Sequence, residues 1–157
     1  MSQNSVTGIN VSHNIALITL DNFPDDMRLI SGVFTSLAKD KINIDMINKS
    51  ISYKGNINIS FTLSSEDLID AITSLNRFSN TDRDFLVEVD AYNTKITVFG
   101  KSMKDTPGVA AKLFRLFAEQ RIEIKLVTTS ESDISFLIHE RDTDNIVASI
   151  KKAYLLN

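Results

Sequence analysis

The stretch Met103–Glu131, MKDTPGVAAKLFRLFAEQRIEIKLVTTSE, contains the pattern from which the rest of the chain can be interpreted. Its Pro107-Gly108 turn opens an amphipathic segment, which predicts a helix over Pro107–Gln120 followed by a strand over Glu123–Thr129. The first backbone N–H groups of a helix have no partner within it and lie at the positive end of the helix dipole. The start of this helix is therefore suited to bind a small anion, such as the carboxylate of an amino acid.

The same pattern occurs once more, earlier in the chain. A shift of 80 positions, from Ile30 to Ala110, pairs two apolar sets, and the first five residues of each set have the spacing of a helix face packed on a core. The sets are Ile30, Val33, Phe34, Leu37, Ala38, Ile42 and Ile44, and Ala110, Leu113, Phe114, Phe117, Ala118, Ile122 and Ile124. Further on, the shift falls to 75, which aligns Asn58–Phe61 with Asp133–Phe136 and leaves a longer hairpin around Tyr53–Asn56.

Each copy is predicted to run strand, helix, strand, strand, helix. The first copy has Ile15–Leu20, Met27–Asp40, Ile44–Ser52, Asn58–Leu63 and Glu66–Phe78, and a last strand at Phe85–Ala91. The second copy has Lys95–Gly100, Pro107–Gln120, Glu123–Thr129, Asp133–His139 and Asp142–Ala153, without a last strand.

A missing last strand would leave an unpaired sheet edge in the second copy. Because Val6–Val11 precedes the first copy and has no counterpart there, we expect it to complete that sheet. The predicted fold class is α+β, with two ferredoxin-like βαββαβ units of which the first is inserted into the second. The predicted domains are residues 13–92, and residues 6–12 plus 93–157.

Composition narrows the classes of function. The 157 residues are 43% hydrophobic, which is enough for a core, and 17 basic against 20 acidic residues give a net charge of -3. Neither nucleic acid nor a membrane surface is therefore a predicted partner, and a cytoplasmic location is expected because no signal-peptide core or apolar run of ~20 residues occurs. The chain has no cysteine, and its two histidines lack neighbours at metal spacing. We predict no cofactor, no metal site and no enzymatic activity.

Several short motifs follow one another in a fixed order. They are Val6–Ile9, Pro24-Asp25, Asn43–Ile47, Met103–Lys112, and Thr129–Glu131 with Ile134-Ser135. In this order and spacing they resemble the tandem ACT regulatory region of aspartate kinases, and the resemblance extends over nearly the whole chain. No part of the chain resembles the kinase domain of that family.

The resemblance implies a regulatory module that forms a homodimer and binds an end-product amino acid, such as lysine or threonine, between ACT units. A separate kinase polypeptide is a further implied partner. The implied ligand contacts are Met103, Lys104, Asp105, Pro107, Gly108, Val109 and Ala110, with Asn43, Ile44, Asp45 and Asp25. Asp45 or Asp25 is expected to hold the ammonium of the ligand, and the helix start at Gly108 its carboxylate.

The equivalent second site departs from the family pattern. It would consist of Asp26, Met27, Arg28, Glu123 and Ile124. Arg28 stands where the turn needs glycine, and Glu123 stands where the family often has Asn, so we predict that these two side chains form an ion pair in place of a ligand. Two alternatives remain open for the whole chain: a ligand-free dimerisation module, and the regulatory fragment of a longer aspartate kinase.

Overall fold

The computed structural model describes residues 4–79 and 85–157. The chain divides into two units, one of Asn14–Tyr92 and one of Met1–His13 with Asn93–Asn157. Two long strands, β1 (Gly8–Pro24) and β4 (Leu86–Phe99), contribute to both units. No helix in the described part of the chain has the length and apolar character needed to cross a membrane.

The unit of residues 14–92 contains a sheet and two helices. Between β1 and β4 the chain forms α1 (Met27–Lys39), β2 (Ile47–Lys49), β3 (Asn56–Ser64) and α2 (Leu68–Ser79). The strand order is β2-β3-β1-β4, with β3 antiparallel to both β1 and β2. Alternate residues of β1 and β3, such as the paired Ile18 and Phe61, are buried in a core with the apolar face of α1.

The other unit repeats this arrangement. It contains α3 (Val109–Glu119), β5 (Leu126–Thr129), β6 (Asp133–His139) and α4 (Thr143–Tyr154), and its strand order is β1-β4-β6-β5. The N-terminal segment is packed into this unit. Val6 is fully buried in its core, and the backbone N–H of Thr7 donates to the carbonyl oxygen of Phe99 at 2.8 Å. The two units thus have the α+β architecture that the repeat predicts, with the first inserted into the second.

The predicted short strands at the ends of the units were wrong in extent. Val6–Val11 and Ile15–Leu20 were predicted as separate strands, yet both contribute to the continuous β1, and Phe85–Ala91 and Lys95–Gly100 likewise contribute to β4. Asn14 (φ 57°) and Tyr92 (φ 64°) adopt left-handed backbone conformations within these strands. Such irregularities bend a strand without ending its pairing.

The strands preceding β3 and β6 are shorter than predicted. The structure has β2 at Ile47–Lys49 instead of Ile44–Ser52, and β5 at Leu126–Thr129 instead of Glu123–Thr129. Ahead of β5, Lys125 N donates to Leu137 O at 2.8 Å. Ahead of β2, Asp45 N donates to Thr62 O at 3.1 Å and Thr62 N donates to Met46 O at 3.0 Å. These bonds hold each segment beside its neighbouring strand, although neither segment belongs to the ladder.

The core-facing residues of α3 were predicted only in part. Val109, Leu113 and Phe117 are buried, whereas Ala110 and Ala118 are exposed and Phe114 is 44% exposed. The buried positions are therefore i, i+4 and i+8, counted from the first residue of the helix. The predicted apolar face also included Ala110, Phe114 and Ala118, which are exposed.

Candidate functional site

A surface cavity of about 580 Å³ lies at the start of α3, in the unit that contains residues 93–157. Its lining comes from the turn before α3, the first residues of α3, and the segment that links β5 to β6. These residues are Met103, Lys104, Thr106, Gly108, Val109, Ala110, Thr129, Ser130, Glu131 and Ile134. The volume falls within the range of about 300–1,000 Å³ that is usual for small-molecule sites.

The turn before α3 is held by its own hydrogen bonds. Met103–Asp105 forms one short 3-10 turn, and the backbone N–H of Thr106 donates to Met103 O at 3.2 Å. The hydroxyl of Thr106 donates to Ser102 O at 2.7 Å. These bonds fix the path of the chain into Pro107-Gly108 before any ligand is present.

Gly108 determines where α3 begins. Its backbone is left-handed, with φ 88° and ψ 2°, so the helix starts at Val109 and not at Pro107 as predicted. Open space surrounds the position where a Cβ of Gly108 would lie. The glycine thus permits the turn and also leaves the start of the helix uncovered.

The first N–H groups of α3 are available to a ligand. Gly108 occupies the N-cap position without a side chain to accept their hydrogen bonds, and the first bond of the helical pattern runs from Lys112 N to Gly108 O at 3.0 Å. The N–H groups of Val109, Ala110 and Ala111 therefore have no acceptor within the helix. Together with the helix dipole they favour an anion beside Gly108.

The cavity offers both apolar and charged surface. Met103, Val109 and Ile134 are buried apolar residues of its lining, whereas Lys104 and Glu131 are exposed charged residues. Apolar surface suits an aliphatic side chain, and Glu131 supplies a carboxylate for a cationic group. A small zwitterion matches this combination.

The corresponding helix start in the 14–92 unit is already capped. Asp26 is the N-cap residue of α1, and its carboxylate Oδ1 accepts the backbone N–H of Arg28 at 2.9 Å. A carboxylate of the protein thus occupies the place where a ligand carboxylate would bind. Met27 and Arg28 are exposed, as is Glu123 in the other unit, where Ile124 is half-buried.

The remaining predicted contact residues lie in the 14–92 unit. Asp25 forms an ion pair with Lys49 at 3.5 Å, with both side chains partly exposed. Asn43 and Asp45 are exposed and Ile44 is half-buried, in the segment between α1 and β2. Of the contacts predicted in the other unit, Asp105 and Pro107 are not among the residues that line the cavity.

Thr129, Ser130, Glu131 and Ile134 line the cavity but were not predicted as contacts. They belong to the motif Thr129–Glu131 with Ile134-Ser135, one of the motifs that carry the resemblance to the family. The pairing of β5 with β6 explains why these residues line the cavity. Thr129 pairs with Ile134, so a short turn links the two strands. Antiparallel pairing of β6 with Phe99 of β4 then places this link beside the loop that leads to α3.

No group of three or more histidine, aspartate or glutamate side chains in the described ranges is arranged to hold a metal ion. Buried side-chain polar atoms without a hydrogen-bond partner are few among the same residues. The hydroxyl groups of Thr94 and Tyr154 lack a hydrogen-bond partner there, and burial raises the pKa of Tyr154 above its ordinary value. Neither residue lines the cavity at α3.

Comparison with known proteins connects this geometry with one family. The ACT domain model matches residues 29–77 and 96–154. An aspartokinase of Bacillus sp. (strain MGA3) is 31% identical over 158 residues, which cover 100% of this chain and 38% of the relative. The chain thus spans little more than a third of this curated relative.

Two solved structures are similar over nearly their whole length. The regulatory subunit of aspartate kinase from Thermus thermophilus, in its ligand-free form, is 25% identical with a TM-score of 0.87, over 96% of this chain and 99% of that one. A chain of the structure of aspartokinase alpha and beta subunits is 29% identical with a TM-score of 0.85, over 96% and 99%.

Proposed function

This chain belongs to the ACT domain family, and we propose that it is an amino-acid-binding regulatory module of the aspartate kinase type. The observation that carries the proposal is the uncapped start of α3, which opens into the cavity beside Gly108. Its match to an aspartate kinase regulatory subunit over 99% of that subunit's length supports a regulatory role. The effector would be an end-product amino acid such as lysine or threonine.

In the proposed complex, the carboxylate of the amino acid accepts hydrogen bonds from the N–H groups of Val109 and Ala110. A carboxylate at a helix start gains about 0.3–1 kcal/mol from the helix dipole, in addition to its hydrogen bonds. A side chain at position 108 would lie in the open space beside these N–H groups. The left-handed Gly108 has no side chain and therefore leaves the space to the ligand.

We propose Glu131 as the group that holds the ammonium of the effector, because it is the acidic residue in the lining of the cavity. Asp45 or Asp25, the groups expected from the resemblance, would have this role if the 14–92 unit contributes to the site. Lys104, also in the lining, would attract the carboxylate. Buried Met103 and Ile134 would contact the aliphatic part of the effector.

The second site is proposed to be closed. The carboxylate of Asp26 already accepts a hydrogen bond from the backbone N–H of Arg28. A ligand carboxylate would therefore have to compete with a carboxylate of the protein itself. Pairing of Arg28 with Glu123 stays a prediction. The self-capped start of α1 is also the observation that favours the alternative of a ligand-free dimerisation module.

Regulation would operate by linkage between binding and arrangement. An effector that binds one arrangement of the protein more tightly than another shifts the population toward the first. We propose that the module acts as a homodimer in the cytoplasm, on a kinase that is either a separate polypeptide or the remainder of a longer aspartate kinase. The 38% coverage of the relative is compatible with both forms of the kinase.

Thermal unfolding in the presence of free amino acids tests the proposal. A ligand that binds only the folded protein raises the midpoint, by an amount that corresponds to about 2.7 kcal/mol at a concentration of 100 Kd. We expect lysine or threonine to raise the midpoint, and the amide of the same amino acid, which lacks the carboxylate, to have no effect. If Glu131 holds the ammonium, Glu131→Gln should abolish the shift and Asp45→Asn should leave it unchanged. The reverse result would assign the ammonium to Asp45.

A flat midpoint with every common amino acid would contradict the sensor proposal. The ligand-free dimerisation module would then be the better description, and sedimentation of the unliganded chain would be the measurement that supports it.

A further inference from the structure

A second cavity, of about 450 Å³, lies on the helices of the 14–92 unit and is distinct from the cavity at α3. We name it the α1 groove. The groove follows one face of α1, from Arg28 in the first turn to Lys39 in the last, and Arg77 and Phe78 of α2 complete its lining. The hydroxyl residues Ser31, Thr35 and Ser36 lie between the cationic ends.

Gly32 keeps the α1 groove open. A Cβ at this position would come within 3.2 Å of Cε1 of the Phe78 ring. The repeat places Lys112 of α3 at the equivalent position, and there the side chain covers the neighbouring helix. The Lys112 ammonium donates to Ala153 O at 3.3 Å and lies 4.2 Å from the centroid of the Tyr154 ring. The same helix face is therefore covered in one copy and open in the other.

The charge of the α1 groove is opposite to that of the chain. Arg28, Lys39 and Arg77 line it, although the net charge of the chain is -3. Arg77 lies 3.5 Å from the carboxylate of Asp40. Among the described residues of the 14–92 unit, neither Arg28 nor Lys39 has a carboxylate within 4.0 Å, and the predicted pairing of Arg28 with Glu123 would compete with a partner for Arg28. Two cations of the groove are thus available to an anionic partner.

The spacing of these cations limits the occupant. Arg28 and Lys39 are three helical turns apart, which corresponds to roughly 16 Å along α1 at 1.5 Å per residue. One phosphate or one carboxylate cannot engage both ends at that separation. A nucleic acid strand would bring many more phosphates than three cations can neutralise, and the overall negative charge would repel it.

We propose that the α1 groove is a docking surface for an acidic segment of a partner protein. The segment carries Asp or Glu residues about three helical turns apart, which contact Arg28 and Lys39, and its backbone or polar side chains lie over the hydroxyl residues between them. The proposal does not depend on an amino-acid effector, because its residues lie outside the cavity at α3.

The test uses the full chain and a fluorescently labelled helical peptide of about 16 residues with glutamates three turns apart. A second peptide with glutamine in place of glutamate is the matched probe. By fluorescence anisotropy we expect the acidic peptide to bind the full chain and the neutral peptide not to bind. Raising the salt from about 0.05 M to about 0.3 M should weaken binding, because the charges are exposed.

Variants assign the binding to the groove. Arg28→Gln with Lys39→Gln should lower the affinity for the acidic peptide by about tenfold or more. Gly32→Lys should also lower this affinity, because its side chain would cover the groove as that of Lys112 covers the neighbouring helix in the other copy. Lys101→Gln with Lys151→Gln removes two exposed cations elsewhere and should change the affinity less than twofold. Thermal midpoints identify any variant that fails to fold.

Three results would overturn the proposal. The first is no binding of the acidic peptide to the folded chain, and the second is equal weakening by both pairs of variants. The third is stronger binding of single-stranded DNA than of the peptide, with the same residues involved, which would assign the groove to a nucleic acid.

Discussion

Gly108 and Gly55 are the two glycines with left-handed backbones, at φ 88° and φ 79°, and an added Cβ would meet open space at both. Alanine at either position should therefore destabilise the protein by a similar amount, about 1 kcal/mol, through backbone strain alone. Only Gly108→Ala places a side chain beside the start of α3. We expect it to reduce the effector-induced rise of the unfolding midpoint, and Gly55→Ala to leave that rise intact.

The two glycine variants separate strain from ligand contact. If both reduced the effector-induced rise equally, the open start of α3 would not be the reason for binding. If neither did, the carboxylate of the effector would have to be bound elsewhere.

Asp26 and Asp25 are adjacent carboxylates with different contacts. Asp26 caps α1 through the N–H of Arg28, whereas Asp25 forms a partly exposed ion pair with Lys49. Asp26→Ala should lower the free energy of unfolding by about 1 kcal/mol, and Asp25→Ala by less than about 0.5 kcal/mol. Urea unfolding of the two variants beside the parent chain measures both values, and a larger loss for Asp25→Ala would contradict the capping assignment.

The sequence alone did not reveal how the two helix starts differ. Alignment of Arg28 with Gly108 shows that the two copies differ at this position. The cap itself depends on where each helix begins, and α1 begins at Met27 whereas α3 begins at Val109. A shift of 80 residues would equate Met27 with Pro107, so the two starts are out of register by two residues, and periodicity does not detect a difference of that size.

At the scale of elements, α3 presents two phenylalanines in different environments. Phe117 is 1% exposed and packs on Phe136 with ring centroids 4.6 Å apart, whereas Phe114 is 44% exposed and meets the same ring edge-on at 5.8 Å. Phe117→Ala should cost about 3–5 kcal/mol of stability by leaving a cavity. Phe114→Ala should cost about 1 kcal/mol, the value of one aromatic pair.

Chemical denaturation of both variants, followed by far-UV circular dichroism, compares these costs. Similar losses at the two positions would mean that α3 is rotated relative to the burial described above, as the sequence pattern predicted.

Among the elements, the sequence predicted best where local pattern and pairing agree. Strand β6 was predicted with its observed bounds, Asp133–His139, because Ile134, Phe136 and Ile138 alternate with residues of the other face and turns flank them. Strand β2 was overpredicted because Ile44–Ser52 has strand-like composition, yet only Ile47–Lys49 forms a ladder. Whether an edge segment joins a ladder depends on its neighbour, which a local pattern does not contain.

At the scale of the whole molecule, buried Tyr154 should lower the free energy of unfolding as the pH becomes alkaline. Burial raises the pKa of its hydroxyl above the ordinary 10.0, so the folded state favours the neutral form. This stability is fully present below the pKa of the unfolded chain and is lost as pH rises through the pKa of the folded chain. We expect the urea midpoint to fall between about pH 9 and pH 11, and the fall to be smaller in Tyr154→Phe.

Tyr92→Phe, at an exposed tyrosine, is the control for that experiment. At neutral pH, Tyr154→Phe should be at least as stable as the parent, because none of the described residues accepts or donates a hydrogen bond at the buried hydroxyl. A large loss of stability at neutral pH would indicate that the hydroxyl has a partner.

The repeat and the inserted arrangement were predictable because they rest on many apolar positions at once. The continuity of β1 and β4 was not predictable, since Asn14, and Asn93 beside Tyr92, are of a residue type common in turns. Asn14 and Tyr92 nevertheless adopt their left-handed backbones within continuous strands. The boundaries at residues 13 and 92 remain a prediction. If these boundaries are correct, the N-terminal segment should stabilise the unit of residues 93–157 more than the unit of residues 14–92.

Val6 provides the test of that requirement. It is fully buried in the core around Ile96, Val98 and Phe136, and the neighbouring Gly100 has no room for a Cβ, which would lie 2.0 Å from Ser5 O. Val6→Asp places a carboxylate in this core and should destabilise it by at least about 2 kcal/mol, whereas Val11→Asp, at a residue 36% exposed, should have a small effect. Hydrogen exchange should then accelerate more at the amides of β6 than at those of β3. Equal acceleration in both strands would assign the N-terminal segment to neither unit in particular, and faster exchange in β3 would place it with residues 14–92.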